Sequence, residues 1–127
     1  MKQAHRQDAE FRFETWGPAY LLKSETLDVG VVRLEPGHAM ENHYHAHGEE
    51  TFIVTAGILT VWLETTNSVE LGPGSIYQCE RGEMHRVSND HAEDCEFYFL
   101  KTPPVSGDTI SVPWNPGEPA LPSHIGL

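Results

Sequence analysis

The sequence predicts an all-β fold, a sandwich or a barrel, built from many short strands. Segments rich in Val, Ile, Thr and aromatic residues alternate along the chain with breaks that contain Gly, Pro or Asn. The middle of the chain has no long apolar stripe at helical spacing. Closely spaced strands without intervening helices are typical of sandwiches and barrels and argue against a parallel βαβ sheet.

The predicted strands follow one another at short intervals from the N-terminal region onward. The breaks between them include Gly17-Pro18, Glu35-Pro36-Gly37, Ala56-Gly57 and Gly72-Pro73-Gly74, all residue types that favour turns. The segments with strand composition are 11–16, 20–24, 29–34, 51–55, 58–64, 68–71, 75–80, 85–88 and 96–101.

The length of 127 residues predicts one domain, 1–127, with the barrel core at about 12–101. Eight basic residues against nineteen acidic ones give a net charge of −11, which disfavours nucleic acid and anionic membrane surfaces as partners. No apolar run approaches the length of a membrane span, and the first residues lack the apolar stretch of a signal peptide. With two widely separated cysteines and no CxxC pair, we expect a reducing, cytoplasmic setting.

A Pro-rich C-terminal arm, 102–127, differs from the rest of the chain. It holds six of the nine prolines, and prolines at that density exclude the interior of a helix and a central strand. Two interpretations remain open. The segment is an ordered or semi-ordered arm anchored by Ile110, Val112 and Trp114, or it is a loose tail.

Five of the eight histidines lie at positions 38, 43, 45, 47 and 85, and two of them form a His-x-His pair. In a strand, side chains alternate between the two faces, so His43 and His45 point to the same side with Cα atoms ~7 Å apart. Two imidazoles at that separation can reach one metal ion. His47 would share this face only in a straight strand, and Gly48 favours a bend just after it.

The alternation of apolar residues in the next strand indicates which glutamate would join the two histidines as a metal ligand. Glu50, Phe52 and Val54 share one face of segment 51–55 and its flanks, whereas Glu49 lies on the more polar face. The apolar face should look into the core, so Glu50 is expected at an interior strand end. Burying a lone carboxylate is unfavourable, and a bound metal would offset that cost.

His85 is the fourth candidate, contributed by a distant strand. Three imidazoles and one carboxylate suit a divalent ion such as Zn, Mn, Fe or Ni. The sequence therefore predicts one metal site at His43, His45, Glu50 and His85. His38 and His47 are not expected to be ligands, and the remaining histidines are expected to be ordinary exposed residues: His5, His91 and His124.

These residues lie in two motifs that resemble those of the cupins. Gly37-x5-His43-x-His45-x4-Glu50-x6-Gly57 matches the first cupin motif at each fixed position. Gly74-x5-Glu80-x-Gly82-x2-His85-x3-Asn89 matches the second, except that Glu80 stands where proline is usual. The resemblance covers about 29–100 and implies a small single-domain cupin: a double-stranded β-helix, or jelly-roll barrel, with a metal inside held by the matching ligands.

A narrower similarity points to one branch of the family. Thr15-Trp16-Gly17-Pro18-Ala19-Tyr20 and the run from Glu50 to Gly57 look like the cupin domain of type II mannose-6-phosphate isomerases. That similarity implies sugar phosphate chemistry. The basic residues that the core offers to a phosphate are few: Lys23, Arg33, Arg81, Arg86 and Lys101.

Three functions remain open. The first is a metal-dependent isomerase, epimerase or lyase acting on a small polar or carbonyl-bearing molecule such as a sugar or sugar phosphate, with Glu41, Tyr44 or His47 moving a proton. The second is an Fe(II)-dependent dioxygenase whose aromatic walls would come from Trp62, Tyr77, Phe97 and Phe99. The third is a non-catalytic barrel that binds a small ligand.

Self-association is expected because small jelly rolls leave strand edges and apolar outer faces that pairing would cover. In Glu96-Phe97-Tyr98-Phe99, alternation places the two phenylalanines on one face and Tyr98 on the other. One face would fill the barrel, and the other could pack against a partner subunit. We therefore expect a homodimer with a small-molecule substrate or ligand.

Overall fold

The computed structural model describes residues 1–126 and has ten β-strands in that range, with one short 3₁₀ turn at Arg6–Asp8. The strands form two five-stranded antiparallel sheets, as the all-β prediction requires. The first sheet contains, in spatial order, β1 (Gly17–Lys23), β2 (Asp28–Leu34), β9 (Cys95–Thr102), β4 (Glu49–Ala56) and β7 (Ile76–Cys79). The second contains β10 (Thr109–Ser111), β3 (His43–His45), β8 (His85–Ser88), β5 (Leu59–Leu63) and β6 (Asn67–Leu71).

The core lies between the inward faces of the two sheets. In β9, Cys95, Phe97 and Phe99 are buried while the residues between them are only half-buried, which is the alternation expected of a strand with one face on the core. In β4, Phe52 and Val54 are buried on the face predicted to look inward. Buried side chains from both sheets meet in one cluster: Val32, Leu34, Phe52, Val54, Leu59, Val61, Cys79, Val87, Cys95, Phe97 and Phe99.

The turn between β4 and β5 requires glycine at position 57. Gly57 has a φ of +70°, a conformation that residues with a Cβ rarely adopt. A Cβ at this position would also lie 2.2 Å from the carbonyl oxygen of Asp94. The last fixed glycine of the first motif is therefore explained by backbone geometry, and the turn it forms leads the chain from β4 in the first sheet to β5 in the second.

The prediction of a strand at 11–16 is wrong. Only a single bridge joins Phe11 to Glu14, because Glu14 has a φ of +68° and the chain turns sharply there. The turn stacks Phe13 on Trp16, with ring centroids 4.6 Å apart. The first strand begins at Gly17, so the predicted break at Gly17-Pro18 lies inside β1; Pro18 is accommodated because β1 is an edge strand.

The C-terminal arm folds back onto the barrel. Its strand β10 pairs with β3, at the outer edge of the second sheet. Trp114 is buried against Trp62, with ring centroids 5.3 Å apart, and its indole N–H donates to the carbonyl of Pro119 at 3.1 Å. Of the three predicted anchors, Ile110 is 38% exposed and is not one, because it lies on the outward face of an edge strand.

Cys79 and Cys95 are both buried and form no disulfide. Within the described chain, no helix is long and apolar enough to span a membrane.

Candidate metal centre

Three histidines meet on the inward face of the second sheet. Alternation in β3 points His43 and His45 inward, and the register of β3 with β8 sets His85 directly opposite His43. The ring centroids of His43 and His85 are 4.3 Å apart, and those of His43 and His45 are 5.1 Å apart. The three imidazoles thus converge from two neighbouring strands.

Glu50 reaches this cluster from the other sheet. Its Oε1 atom lies 3.1 Å from His45 Nε2 and 3.2 Å from His85 Nε2, and the residue is only 6% exposed. One ligand atom from each of the four side chains lies within 4.8 Å of the others. The structure therefore brings together the four residues that the sequence singles out, and their cluster joins the two sheets across the interior.

Each imidazole is oriented through its other ring nitrogen. The Nδ1 atom of His43 lies 2.7 Å from the carbonyl oxygen of Glu41, and that of His85 lies 3.0 Å from the carbonyl oxygen of Glu83. His45 Nδ1 lies 3.3 Å from the hydroxyl of Thr109. The Nε2 atoms of His45 and His85 face Glu50 instead, and metal-binding histidines in proteins are likewise oriented through their other ring nitrogen. Three Nε2 atoms and one carboxylate oxygen fit a divalent transition metal.

Burial and neighbouring groups shift the pKa values of three residues of the cluster. Burial, together with the neighbouring His85, lowers the pKa of His43 to about 3, so its imidazole is neutral at pH 7. Burial alone would raise the pKa of Glu50, but hydrogen bonds from His45 and His85 outweigh it and hold this pKa well below its usual range. Burial lowers the pKa of His85, whereas Cys79 and Glu50 raise it, and the net direction is upward. His43 and Glu50 are therefore in the protonation states that ligate a metal, whereas a metal at His85 would displace a proton.

The C-terminal arm supplies two groups that sequence reasoning missed. Thr109 contacts His45 as described, and Asp108, only 8% exposed, fixes the turn between β3 and β4. Asp108 Oδ1 accepts the backbone N–H of His47 at 2.7 Å and contacts His47 Nδ1 at 2.9 Å, while its Oδ2 accepts the N–H of Gly48 at 2.9 Å. The signal present in the sequence was the alternating polar and apolar run 109–112 amid the prolines.

We expect Asp108→Ala to lower the free energy of unfolding at pH 7 by about 2–3 kcal/mol, because it removes a charged acceptor and leaves buried N–H groups unpaired. Burial raises the pKa of Asp108, but hydrogen bonds from Gly48 and His47 outweigh it and lower this pKa. The stabilisation is therefore complete above the unfolded pKa of about 3.9 and is lost as the pH falls through the lower folded value.

Urea unfolding of wild type and Asp108→Ala between pH 7 and pH 3 measures this difference. The exposed Asp90 offers a matched control, and Asp90→Ala should change the free energy of unfolding by less than about 0.5 kcal/mol. A loss for Asp108→Ala as small as that of the control at pH 7 would show that the carboxylate does not fix the turn.

The cluster borders a cavity of about 500 Å³ that opens between the sheets. His43 and Glu50 lie in its wall, so the candidate ligands are accessible from it. Its aromatic lining consists of Phe13, Trp16, Tyr20, Phe52, Phe97 and Phe99. Trp62 and Tyr77, expected as aromatic walls, do not line it: Trp62 faces the arm, and the Tyr77 hydroxyl donates to Glu83 at 3.1 Å.

The three residues predicted to move a proton have different positions. Glu41 is exposed and lines the cavity. Tyr44 points to the opposite side of β3 from the two histidines and stacks on His124, with ring centroids 4.5 Å apart. His47 lies beyond the bend of the chain with its side chain 69% exposed, bound to Asp108. The structure brings Glu41 to the site and does not bring Tyr44 or His47.

The chain is similar in sequence to a known protein family and to one curated protein. The family model Cupin_2, described as cupin domain, matches residues 30–101, which is more than half of the chain. L-ectoine synthase from Mycobacteroides abscessus is 30% identical over 95 residues, or 74% of this chain. The chain spans 65% of the length of that curated relative.

Solved structures share the fold at lower sequence identity. A protein with a double-stranded β-helix domain from Klebsiella pneumoniae superposes with a TM-score of 0.74 at 22% identity, covering 84% of this chain and 94% of that one. The polyketide cyclase RemF from Streptomyces resistomycificus superposes with a TM-score of 0.76 at 19% identity, covering 91% of this chain and 87% of that one.

Proposed function

The chain belongs to the cupin domain family, and from that membership and its histidine–glutamate cluster we propose that it is a metal-dependent enzyme acting on a small carbonyl-bearing molecule. The observation that carries the proposal is the position of the cluster. His43 and Glu50 form part of the wall of an aromatic cavity of about 500 Å³, a size that suits a small ligand. A metal that only stabilised the fold would not have to be accessible from a cavity.

His43, His45, Glu50 and His85 would hold the ion. A divalent metal at this position would act as a Lewis acid that polarises a carbonyl or enediolate oxygen. Glu41 lines the cavity with an exposed carboxylate and is the candidate to accept a proton next to that carbonyl. Phe52 and Phe97 exclude water from the inner wall, which strengthens electrostatic interactions within the cavity. The reaction class is isomerisation, epimerisation or proton abstraction of the lyase type.

The cavity wall favours a substrate with an apolar body over a free sugar or a sugar phosphate. Six aromatic rings line it, whereas only Arg12 and Lys101 offer positive charge. A phosphate needs several positively charged or N–H donors at close range. One structural relative is a polyketide cyclase, and polyketides carry the carbonyl groups that this proposal requires.

We expect the metal-loaded protein to exchange protons next to a carbonyl for deuterium in D2O, at least about 100-fold faster than the metal-free protein. The measurement is proton NMR on a panel of ketones, keto acids and ketoses under anaerobic conditions. Glu41→Gln should slow the exchange by a similar factor, and Glu49→Gln, on the outward face of β4, is the matched control that should not. No exchange above background with any of these compounds would contradict the proposal.

The same cluster and the same apolar cavity also suit an Fe(II)-dependent dioxygenase, which is the second candidate. Oxygen uptake by the Fe(II) form with catechols or small thiols, together with absent deuterium exchange, would favour it. A ligand that raises the melting temperature and is never converted would favour a binding function without catalysis.

A further inference from the structure

Lys101 and Tyr20 place two hydrogen-bond donors in the wall of the cavity, with the Lys101 Nζ atom 3.9 Å from Glu50 Oε2 and Tyr20 37% exposed. We propose that they bind a carboxylate of the substrate, so that the molecule acted on is a carbonyl compound that also carries a carboxylate. This inference rests on the proposed function and specifies the substrate class of the same site.

The position of Lys101 follows from the alternation in β9. Cys95, Phe97 and Phe99 are buried on the inward face, and Lys101 is the next residue on that face. It is paired across the sheet with Glu50 and its side chain is 24% exposed. A lysine on the inward face of a strand, next to a buried phenylalanine, gives up part of its hydration. The Lys101 ammonium group therefore needs polar or charged partners, which the apolar side chains of the core do not provide.

The only ion pair of Lys101 among the described residues is a long one with Glu50. Glu50 is the one carboxylate within 4.0 Å of its Nζ atom, at 3.9 Å, and both histidine contacts of Glu50 are shorter. The Nζ atom donates one hydrogen bond to the hydroxyl of Tyr20 at 2.9 Å. An ammonium group has three N–H donors, so donors remain for a ligand.

Tyr20 supplies the second donor. Its hydroxyl accepts from Lys101, which leaves its own O–H proton available to an acceptor. Its ring packs edge-on against Phe99 with centroids 5.2 Å apart, and the register of β1 shifts at a bulge between Tyr20 and Leu22. Bulges re-aim side chains and are frequent next to functional sites. Two donor atoms 2.9 Å apart suit the two oxygens of one carboxylate.

The charge balance at the site also favours an anion. The charged residues that line the inner cavity are Arg12, Glu41, Glu50 and Lys101, two of each sign, and a divalent ion would add two positive charges. Arg12 and Glu41 are exposed, whereas Lys101 lies 3.9 Å from Glu50, so Lys101 and an ion would supply the positive charge next to the cluster. A carboxylate bound between them would offset this excess on a protein whose overall charge of −11 repels anions elsewhere.

The test compares two probes of the same shape, 3-phenylpropionate and its neutral amide 3-phenylpropionamide, by calorimetric titration of the metal-loaded protein. We expect the acid to bind wild type at least about 10-fold more tightly than the amide. Lys101→Met should weaken binding of the acid by about 10- to 100-fold and leave binding of the amide within about two-fold. Tyr20→Phe should weaken binding of the acid by about 3- to 10-fold.

Three controls separate this role from a structural one. Arg81→Met removes the same charge in an exposed turn outside the cavity, and it should leave the affinity for the acid within about two-fold. Metal content of Lys101→Met should equal that of wild type, since Glu50 is held by the histidines. Lys101→Arg should restore most of the affinity for the acid.

The inference is overturned if the two probes bind wild type equally or not at all, if Lys101→Met binds the acid as wild type does, or if that variant loses its metal. None of these results alters the deuterium-exchange measurement, which tests the proposed function. Conversely, absent exchange with the expected probe affinities would overturn the proposed function and leave the carboxylate site in place.

Discussion

Replacing His45 with alanine is expected to weaken the binding of a divalent metal by more than about 100-fold. Loss of a group that merely orients a ligand costs about 10- to 100-fold in metal affinity, and loss of the ligand itself costs more. His45 is only 3% exposed, and its Nε2 atom lies 3.1 Å from Glu50 Oε1 at the centre of the cluster. Without it, the remaining imidazoles lie on separate strands and the carboxylate loses one of its two partners.

Mass-spectrometric metal analysis of protein purified without an affinity tag measures this effect. Wild type should hold close to one equivalent and His45→Ala less than about one tenth of that after dialysis. His47→Ala is the matched control, since His47 is two residues away, largely exposed, and bound to Asp108 instead of the cluster. Equal metal content in the two variants would contradict the assignment of His45 as a ligand.

Trp114→Ala is expected to lower the free energy of unfolding by about 3–5 kcal/mol, the usual range for truncating a buried aromatic residue. Trp114 is 4% exposed, packs against Trp62, and donates its indole N–H to Pro119. For a chain of this length, the melting temperature should fall by about 10–20 °C. The arm then loses one of its contacts beyond β10, while the stacking of His124 on Tyr44 and the contact of Thr109 with His45 remain.

Thermal unfolding followed by circular dichroism measures this loss, with all proteins loaded with the same metal so that binding does not shift the comparison. Ile110→Ala is the control within the same arm, because Ile110 is 38% exposed, and it should change stability by less than about 0.5–1 kcal/mol. If Trp114→Ala unfolds within 2–3 °C of Ile110→Ala, roughly the effect of a surface change, the arm does not depend on Trp114.

The features that follow from local pattern were predictable from the sequence. Alternation in β4 identified Glu50 rather than Glu49 as the inward carboxylate, and the same rule set His43 and His45 on one face. Both conclusions need only the period of a strand and a decision about which face is apolar. His85 was recognisable because it occupies a fixed position within a second motif.

The features that depend on distant contacts or unusual backbone angles were not predictable. The segment 11–16 has the composition of a strand, but the positive φ of Glu14 turns the chain and makes Phe13 and Trp16 part of the cavity wall. Thr109 and Asp108 reach the turn after β3 through strand pairing across more than sixty residues, a register that composition does not reveal. The six prolines of the arm argued against a strand there, so the short strand β10, which makes this contact, was not predicted.

The most direct test of the metal centre is an anomalous difference map from crystals of the metal-loaded protein, collected at the absorption edge of the metal. We expect one peak within bonding distance of the Nε2 atoms of His43, His45 and His85 and of a carboxylate oxygen of Glu50, at about 2.0–2.2 Å. A peak at His47 and Asp108, or no peak among the four residues at full metal loading, would contradict it.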